Sequence, residues 1–304
     1  MPIVHIPDSF ARTLLDLFND TGVVWLNNLP NLISDCERRW SLTVLLPFEL
    51  SYNYVAPAIR ADGIDVVLKA GVPNPELLTE IAALRHYDGH GIVRLLDADP
   101  EQGVMLVERL RPGIPLVTLA DDKQATSIAA QVMKQLWRPV PPDHLFPTVH
   151  KWAAGMKRLR EHFGGGTGPL PVRLVETAES LFAELLASMD TPVLLHGDLH
   201  HWNILSAERE PWLALDPKGV VGEPAYEVGA LLRNPLPQLL NWPQPGRILA
   251  RRVDQLSEEL GIDRQRLIGW GVAQAVLSAW WSIEDHGHGW EEAMTCAELL
   301  ADLL

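Results

Sequence analysis

The feature of this chain that most constrains its fold is a polar segment held between two short apolar runs. The segment His196–Leu205 reads HGDLHHWNIL and contains Asp198 and, five residues later, Asn203; a second carboxylate, Asp216, follows Asp198 by eighteen residues. The apolar residues directly after Asn203 and directly before Asp216 are typical of short strands. We therefore expect a loop flanked by two strands, at which two carboxylates and an amide come together.

This set of side chains suits the transfer of a phosphoryl group to a hydroxyl. That reaction needs a carboxylate to accept the hydroxyl proton, and an amide and a carboxylate to hold magnesium against the nucleotide phosphates. In protein kinases the base Asp precedes the metal-binding Asn by the same interval, and a metal-binding Asp follows on a strand. The spacing of the three residues therefore favours a phosphotransferase loop, with Asp216 delivered to the metal.

The composition is that of an ordinary globular protein with a sizeable core. Of 304 residues, 47% are hydrophobic and 21% are charged, and 25 basic against 39 acidic residues give a net charge of −14. Because no run of Lys or Arg occurs, we expect neither a nucleic-acid partner nor binding to an anionic membrane surface. The acidic excess would attract a cationic small molecule or protein, although such an excess most often keeps a surface soluble.

Signals for cellular location point to a reducing compartment. Cys36 and Cys296 are single cysteines far apart in the chain, which argues against a disulfide framework. The N-terminal residues lack the basic and apolar regions of a signal peptide, and no run of about eighteen apolar residues occurs. We expect a cytoplasmic protein that does not span a membrane, and nothing in the sequence implies an obligate protein partner.

The order of apolar patterns predicts two halves of different character. After a helical stretch over 8–40, with a fresh helical start at Pro30, short alternating runs predict an antiparallel sheet interrupted by one helix over 74–86. The expected strands are 42–46, 52–58, 64–68, 92–96 and 104–110. The later patterns predict helices at 121–137, 148–162, 172–189, 224–233, 247–260, 263–285 and 290–303. We predict an α+β, protein-kinase-like bilobal fold, with a nucleotide-binding lobe at 1–110 and a mostly helical lobe at 111–304 that carries the polar loop and the acceptor pocket.

A lysine at the end of a buried-looking strand supplies the second part of the pattern. Lys69 follows the run Asp65–Leu68, and a Lys in that setting is costly unless it is paired or meets an anion. In protein kinases the lysine at the corresponding place contacts the nucleotide phosphates and is held by a Glu on the inserted helix. Glu76 and Glu80 both lie on that helix, and we favour Glu80 because Glu76 suits the dipole at the helix N-terminus. A strand-end lysine that reaches solvent is the alternative interpretation of Lys69.

Two further segments are expected to contact the nucleotide. Leu106–Gly113 ends the last strand before the helical half, where the carbonyl of Glu108 and the amide of Leu110 are placed to bind an adenine edge. No GxGxxG sequence occurs between the first two strands, so backbone amides and the hydroxyl of Ser51 would have to cover the phosphates. The residues around Ser51 could equally form an ordinary polar hairpin turn.

Several segments together resemble a known family of small-molecule kinases. His196–Leu205 is similar to the catalytic signature of the aminoglycoside phosphotransferases, and other segments resemble the branch that contains streptomycin 6-kinases and hydroxyurea phosphotransferases. Those segments are Leu84-Arg85, 89–96 (GHGIVRLL), 106–113 (LVERLRPG), 212–224 (WLALDPKGVVGEP) and 226–235 (YEVGALLRNP). The resemblance covers roughly residues 25–290. It implies a protein-kinase-like fold, ATP and Mg²⁺ as cofactors, and transfer of the γ-phosphate to a hydroxyl.

The resemblance also implies roles for individual residues. It assigns Asp198 as the catalytic base, Asn203 and Asp216 as magnesium ligands, and Lys69 as the phosphate-binding lysine. One departure from protein kinases is that Pro217-Lys218-Gly219 replaces Phe-Gly after the metal-binding Asp. Since a proline stiffens the backbone, we expect a site that is assembled without an activation-loop switch.

Candidates for binding the acceptor lie on the helical half. They are His201, Glu223, Trp281, Glu284 and Asp285. Trp281 could present its ring face to a cation, and the three carboxylates could accept hydrogen bonds from guanidinium groups. Packing within the loop is the alternative for His201, and a favourable first-turn helix charge is the alternative for Glu223.

Together with the resemblance, these observations favour an ATP- and Mg²⁺-dependent O-phosphotransferase whose acceptor is a cationic aminocyclitol or amino-sugar. The resemblance alone implies the streptomycin 6-kinase type. A hydroxyurea phosphotransferase, or a kinase of another amino-sugar-like metabolite, is the nearest alternative. A silent nucleotide-binding scaffold is disfavoured by the intact Lys/Asp/Asn/Asp set.

A metal-dependent hydrolase could be built on His196, His200, His201, His286 and His288, but it would leave the amide, the second carboxylate and the lysine unexplained. We expect His196 instead to fix the loop by a hydrogen bond to backbone or to Asp216.

Overall fold

The structure is a computed structural model that describes residues 6–304. The chain divides into two compact units, Met1–Arg111 and Pro112–Leu304. The first unit contains a five-stranded antiparallel sheet with one inserted helix, and the second is mostly helical, which confirms the predicted α+β fold class. No helix within residues 6–304 is long and apolar enough to cross a membrane.

The first unit is a sheet covered on one face by a long helix. Its elements are α1 (Asp8–Trp40), β1 (Leu42–Val44), β2 (Tyr54–Arg60), β3 (Asp65–Ala70), α2 (Pro75–Tyr87), β4 (Leu95–Asp99) and β5 (Val104–Glu108). The strands pair in the order β1-β2-β3-β5-β4. Phe10 and Leu29 of α1 pack with Tyr54 and Leu68 of the sheet in one buried cluster. Burial of the apolar stripe of α1 therefore holds the helix on the sheet.

The structure corrects two details of the sequence prediction for this unit. Helix α1 continues through Pro30, and the change of direction lies at Asn19, whose φ of 48° and ψ of −130° are not helical. The fourth strand is Leu95–Asp99 rather than 92–96. Ile92 is fully buried and forms a single β-bridge outside β4, so it belongs to the core without being part of that strand.

Helix α2 begins where the sequence predicts it. The Asn74 side chain accepts a hydrogen bond from the Leu77 amide at 3.1 Å, and Pro75 occupies the first helical position. This start places Glu80 among the buried residues of the helix. Glu80 is therefore the glutamate on the buried side of α2, whereas Glu76 is exposed.

The second unit is built around one central helix. Its helices are α3 (Asp122–Leu136), α4 (Val149–Ala153), α5 (Gly155–His162), α6 (Val172–Ala187), α7 (Pro224–Arg233), α8 (Gln238–Asn241), α9 (Pro245–Leu260), α10 (Arg264–His286) and α11 (Glu291–Ala301). Helix α10 is buried along almost all of Leu267–Trp280 and contacts α5, α6, α7, α9 and α11. A helix that is apolar on every side requires such an enclosed position. The predicted helix 148–162 is divided into α4 and α5, and α8 was not predicted.

Two small antiparallel sheets carry the polar loop. Their strands are β6 (Pro112–Pro115), β7 (Arg138–Pro139), β8 (Val193–Leu195), β9 (Ile204–Ala207), β10 (Trp212–Ala214) and β11 (Val220–Gly222), in the orders β10-β9-β6 and β11-β8-β7. The loop leaves β8, enters β9, and is followed by the β9–β10 hairpin. The predicted flanking strands therefore exist and pair with each other.

Candidate active site

The β9–β10 hairpin brings the amide and the second carboxylate of the motif together. Ala214 pairs with Ile204 in the antiparallel register, and the Leu215 amide donates to the Asn203 carbonyl at 3.0 Å. Asn203 and Asp216, thirteen residues apart in the sequence, are thereby neighbours across the end of the ladder. The two apolar runs therefore form the predicted strands, and their hairpin returns Asp216 to the polar loop.

His196 ties the loop to the segment that carries Asp216. Its fully buried ring lies with Nε2 2.8 Å from the Leu215 carbonyl oxygen, and Nδ1 accepts from the Asp198 amide at 3.2 Å. Its own carbonyl accepts from the amides of Lys218 and Gly219. Burial lowers the pKa of His196 to about 4, so the ring is neutral, as a donor at one nitrogen and an acceptor at the other require. The prediction that His196 fixes the loop through backbone is confirmed.

Glu227 of α7 holds the start of the loop from the other side. This fully buried carboxylate accepts from the His196 amide at 2.7 Å through Oε2 and from the Gly197 amide at 2.9 Å through Oε1. Burial raises its pKa to about 7, although the backbone N–H groups act in the opposite direction. Because Glu227 is fully buried and both its oxygens bind main-chain amides, its carboxylate supports the loop.

Gly197 shows how tightly the loop is packed against an aromatic residue. Its φ of +87° is in the region that favours glycine, and an added Cβ would lie 2.9 Å from Cη2 of Trp152 and 3.0 Å from Cγ1 of Val220. Trp152 in turn makes an edge contact with Trp281, with ring centroids 5.4 Å apart. Both Trp side chains are half-buried, so an aromatic pair lies directly beside the loop.

The carboxylate of Asp198 lies between two basic side chains. Arg233 Nη2 is 3.4 Å from Oδ1, and His200 Nε2 is 3.6 Å from Oδ2. Burial by itself would raise the pKa of Asp198, but His200, Arg233 and Lys218 together hold it well below its usual range. With a side chain that is 27% exposed, Asp198 is both ionised and accessible from solvent.

Asn203 and Asp216 offer oxygen ligands to a hard cation. The Asn203 amide nitrogen donates to the Asp198 carbonyl at 2.9 Å, which leaves the amide oxygen as the atom that Asn203 can present to a metal. Asp216 has a φ of 59° directly before Pro217, a combination that costs conformational energy and is characteristic of functional sites. One amide oxygen and one carboxylate, completed by water and phosphate oxygens, fit the coordination that Mg²⁺ prefers.

Within residues 6–304 no three His, Cys, Asp or Glu side chains form a group that could hold a metal ion. The histidine-based hydrolase therefore has no structural basis in the described part of the chain. His196 is committed to backbone partners, and His201, described below, is buried in packing. The Asn–Asp pair remains the candidate metal site.

In the first unit Lys69 is paired with Glu80. Nζ of Lys69 lies 2.6 Å from Oε1 of Glu80, and the two residues are 5% and 8% exposed. A buried pair of this kind holds the ammonium in one position on β3, because separating it would leave an uncompensated charge. The choice of Glu80 over Glu76, which is exposed, agrees with the geometry. The interpretation of Lys69 as a solvent-directed lysine is wrong.

The other nucleotide-binding candidates stay predictions. Glu108 closes β5, and its side chain accepts from the Arg94 amide at 2.9 Å, so the side chain fixes the chain locally while its carbonyl keeps the predicted role. Leu110 follows directly outside the strand. Ser51 lies in an exposed bend between β1 and β2.

Two of the predicted substrate residues are structural. Glu223 is 2% exposed, and its carboxylate accepts from Arg266 at 2.9 Å and from the Trp270 indole N–H, so it joins the start of α7 to α10. His201 is also 2% exposed and lies with Nε2 3.3 Å from Arg252 Nη2. Neither side chain has the exposure that a substrate contact requires, so both predictions are corrected.

The remaining substrate candidates lie at the C-terminal end of α10. Both carboxylate oxygens of Glu284 accept from Arg158, at 2.7 and 2.8 Å. Since Arg158 already occupies both oxygens, the predicted contact of Glu284 with a substrate guanidinium group is corrected. Asp285 is exposed. Trp281, through its contact with Trp152, lies close to the loop. Asp285 and Trp281 stay predictions.

Solved structures with the same architecture identify the fold. A choline kinase from Streptococcus pneumoniae matches with a TM-score of 0.64 at 14% identity, covering 90% of this chain and 99% of the other. An aminoglycoside phosphotransferase in a ternary complex with ADP and hygromycin B matches with a TM-score of 0.62 at 14% identity, covering 89% and 96%. The fold is therefore that of the protein-kinase-like small-molecule kinases.

Sequence relatives narrow the class to a family. The family model described as aminoglycoside/hydroxyurea antibiotic resistance kinase matches residues 41–286, and the chain belongs to this family. A streptomycin 6-kinase from Streptomyces glaucescens is 34% identical over 93% of this chain and 92% of its own length. A hydroxyurea phosphotransferase from Kitasatospora aureofaciens is 33% identical over 93% of this chain and 82% of its own length. The protein is thus a small-molecule kinase of the aminoglycoside phosphotransferase type.

Proposed function

We propose that this kinase is ATP- and Mg²⁺-dependent and phosphorylates a hydroxyl of a cationic aminocyclitol or amino-sugar, in the manner of a streptomycin 6-kinase. The observation that carries the proposal is the convergence of Asp198, Asn203 and Asp216. The hydrogen bond from Leu215 to Asn203 and the two contacts of His196 hold the loop with Asp198 and Asn203 against the segment that carries Asp216. Phosphoryl transfer depends mostly on such positioning and on electrostatic stabilisation.

Asp198 acts on the acceptor hydroxyl in this proposal. A bond forms between the acceptor oxygen and the γ-phosphorus while the bond from that phosphorus to the β,γ-bridging oxygen breaks. The hydroxyl proton passes to Asp198 and then to solvent, and the products are a phosphate ester and ADP. Because Asp198 is ionised and 27% exposed, it can accept this hydrogen bond without first losing a proton.

Residues with a proposed role toward the nucleotide occur in each unit. Asn203 and Asp216 would hold Mg²⁺, which when bound neutralises charge on the phosphate oxygens. Lys69, kept in place by Glu80, would contact the nucleotide phosphates. Glu108 and Leu110 would offer backbone groups to the adenine, and backbone around Ser51 would cover the phosphates.

The acceptor would be recognised as a cation. Trp152 and Trp281 form an aromatic pair next to the loop, and an aromatic ring face attracts ammonium and guanidinium groups. Asp285, exposed on the same helix as Trp281, adds a carboxylate. The net charge of −14 favours the approach of a cation in general.

The acceptor is tested by measuring ATP consumption with and without Mg²⁺ against streptomycin, hydroxyurea and a panel of amino-sugars. Streptomycin or a related cation should be phosphorylated with a higher kcat/KM than hydroxyurea, which is small and neutral. Substitution Trp281→Leu should raise KM for the cationic acceptor more than Trp281→Phe does, because Phe keeps a ring face. Efficient turnover of hydroxyurea, with no turnover of the cations, would identify the protein as a hydroxyurea phosphotransferase instead.

A further inference from the structure

Arg233, the last residue of α7, contacts the proposed base and has no assigned role. Its side chain is 12% exposed, and Nη2 lies 3.4 Å from Oδ1 of Asp198. Nη1 of the same guanidinium donates to Oε1 of Gln274 at 2.9 Å. Because the guanidinium group is planar and rigid, fixing one nitrogen fixes the direction in which the other points.

Gln274 is itself held in place by the packing of α7 on α10. It is 2% exposed and lies against Gly229, one turn before Arg233 on α7. A Cβ at Gly229 would lie 2.2 Å from Oε1 and 3.0 Å from Cβ of Gln274. The Gln274 amide can therefore reach Arg233 because residue 229 has no side chain.

We infer that Arg233 is a positioning residue that orients the Asp198 carboxylate toward the acceptor hydroxyl, and that Gln274 and Gly229 fix Arg233 for this task. The inference rests on the proposed role of Asp198 as base. With Arg233 at Oδ1 and His200 at Oδ2, the plane of the carboxylate is defined from two sides. Each carboxylate oxygen keeps a further lone pair, so the acceptor hydroxyl can still donate to it.

Helix α7 thus reaches the loop at two separate places. Glu227 binds the main chain at the start of the loop, and Arg233, at the other end of the helix, binds the side chain of Asp198. The first contact places the backbone and the second sets the direction of the reacting group. A loss of the second should therefore leave the loop and the nucleotide site intact while it slows the chemical step.

The test is a double-mutant cycle on phosphoryl transfer. Arg233→Met should lower kcat roughly 10- to 100-fold, as expected for one charge-assisted hydrogen bond, with KM for ATP changed less than about twofold. Arg233→Lys should recover part of kcat, since it restores the charge but not the rigid fork. Gln274→Met should lower kcat severalfold by itself and cause no further loss in the Arg233→Met background.

Arg160→Met is the matched control. Arg160 makes a bidentate pair with Glu179 at 2.8 Å within the same unit, at a partly buried position, and has no contact with the loop among its hydrogen bonds. Its kcat should stay within about twofold of wild type. Melting temperatures of all variants report folding, and if Arg233→Met does not fold, Arg233→Lys with Gln274→Met completes the same cycle.

Several outcomes overturn the inference. Wild-type kcat in Arg233→Met, a rise in acceptor KM without a fall in kcat, or equal and additive losses from Gln274→Met in both backgrounds would each do so. In these cases the wild-type enzyme remains active, so the proposed function stands. If the wild-type protein phosphorylates no acceptor, the proposed function fails and this inference falls with it.

Discussion

At the scale of single residues, the carboxylate of Asp198 determines how the reaction can proceed. Burial alone would raise the pKa of Asp198, but His200, Arg233 and Lys218 outweigh it and keep the group strongly acidic. A strongly acidic carboxylate is a weak base, so it gains the proton late, when the bond to phosphorus has largely formed. The catalytic contribution of Asp198 in this proposal is therefore to orient the hydroxyl throughout and to accept its proton at the end.

Removal of this carboxylate gives the first prediction. Asp198→Ala should lower kcat by ~10²–10⁴-fold, the usual contribution of a general base, while ATP still binds. Steady-state kinetics and calorimetric titration with a non-hydrolysable ATP analogue measure the two effects. Asp302→Ala, at an exposed site near the C-terminus, is the control and should behave as wild type. An Asp198→Ala enzyme that keeps more than about a tenth of wild-type kcat would remove Asp198 from this role.

A second substitution tests Asp216 as a metal ligand without changing the backbone around it. Asn tolerates the left-handed φ of residue 216 as well as Asp does, so Asp216→Asn removes the charge and preserves the loop. Activity should be lost, together with the increase in nucleotide affinity that Mg²⁺ produces, as titrations with and without Mg²⁺ would show. Unaltered magnesium dependence in this variant, or wild-type activity in EDTA, would contradict the proposed metal site.

At the scale of elements, helix α7 supports the loop through groups whose protonation depends on pH. Burial raises the pKa of Glu227 from 4.5 to about 7, so the stability that Glu227 contributes is greatest below pH 4.5 and is lost as the pH rises to about 7. Burial lowers the pKa of His196 from 6.5 to about 4, so its contribution is lost as the pH falls from 6.5 to about 4. The two trends oppose each other over most of this range.

This opposition predicts the behaviour of Glu227→Gln. Without the titration of Glu227, the free energy of unfolding should rise more steeply with pH between about 4 and 6.5 than it does in the wild type, because the His196 trend is no longer offset. Urea denaturation across this pH range measures the slope. Glu298→Gln, on the exposed face of α11, serves as control. Parallel stability curves for Glu227→Gln and wild type would show that Glu227 does not titrate in this window.

Elements also show what the sequence could predict and what it could not. Helices with clear periodicity and the three loop residues were predictable, because both follow from spacing along a short stretch of chain. Glu227 and Arg233 were missed as supports of the loop, since they reach back 31 and 35 residues to it and, for Glu227, bind main-chain amides that leave no signature in the sequence. Glu223 was misassigned because the same carboxylate chemistry serves a buried contact with Arg266 and a substrate contact.

At the scale of the whole molecule, the fold class was predictable because the apolar pattern changes from mostly alternating runs before residue 111 to mostly helical periodicity after it. The change from alternating runs to helical periodicity separates a sheet from a mostly helical unit. The sheet order, with β5 between β3 and β4, is not specified by the apolar pattern. The family membership then fixes the reaction class, whereas the acceptor depends on side chains spread over several helices. Composition adds one property of the whole molecule, its strong negative charge.

The charge predicts how acceptor binding depends on salt. With a net charge of −14, KM for a cationic acceptor should rise as the salt concentration is increased at constant pH and Mg²⁺, because screening weakens the attraction. A neutral hydroxyl acceptor, measured in parallel, should show no comparable change. Equal salt dependence for the two acceptors would show that the net charge of the protein does not contribute to binding of the cationic acceptor.

The most direct test of the central claim is to follow the γ-phosphoryl group itself. Wild-type protein, ATP labelled in the γ-phosphate and streptomycin are incubated with Mg²⁺ or with EDTA, and the acceptor is analysed by mass spectrometry. We expect one phosphate on an acceptor hydroxyl, with ADP formed in equal amount, in the Mg²⁺ sample of the wild type and not in EDTA or with Asp198→Ala. Phosphorylated acceptor in equal yield from Asp198→Ala, or transfer that persists in EDTA, would contradict it.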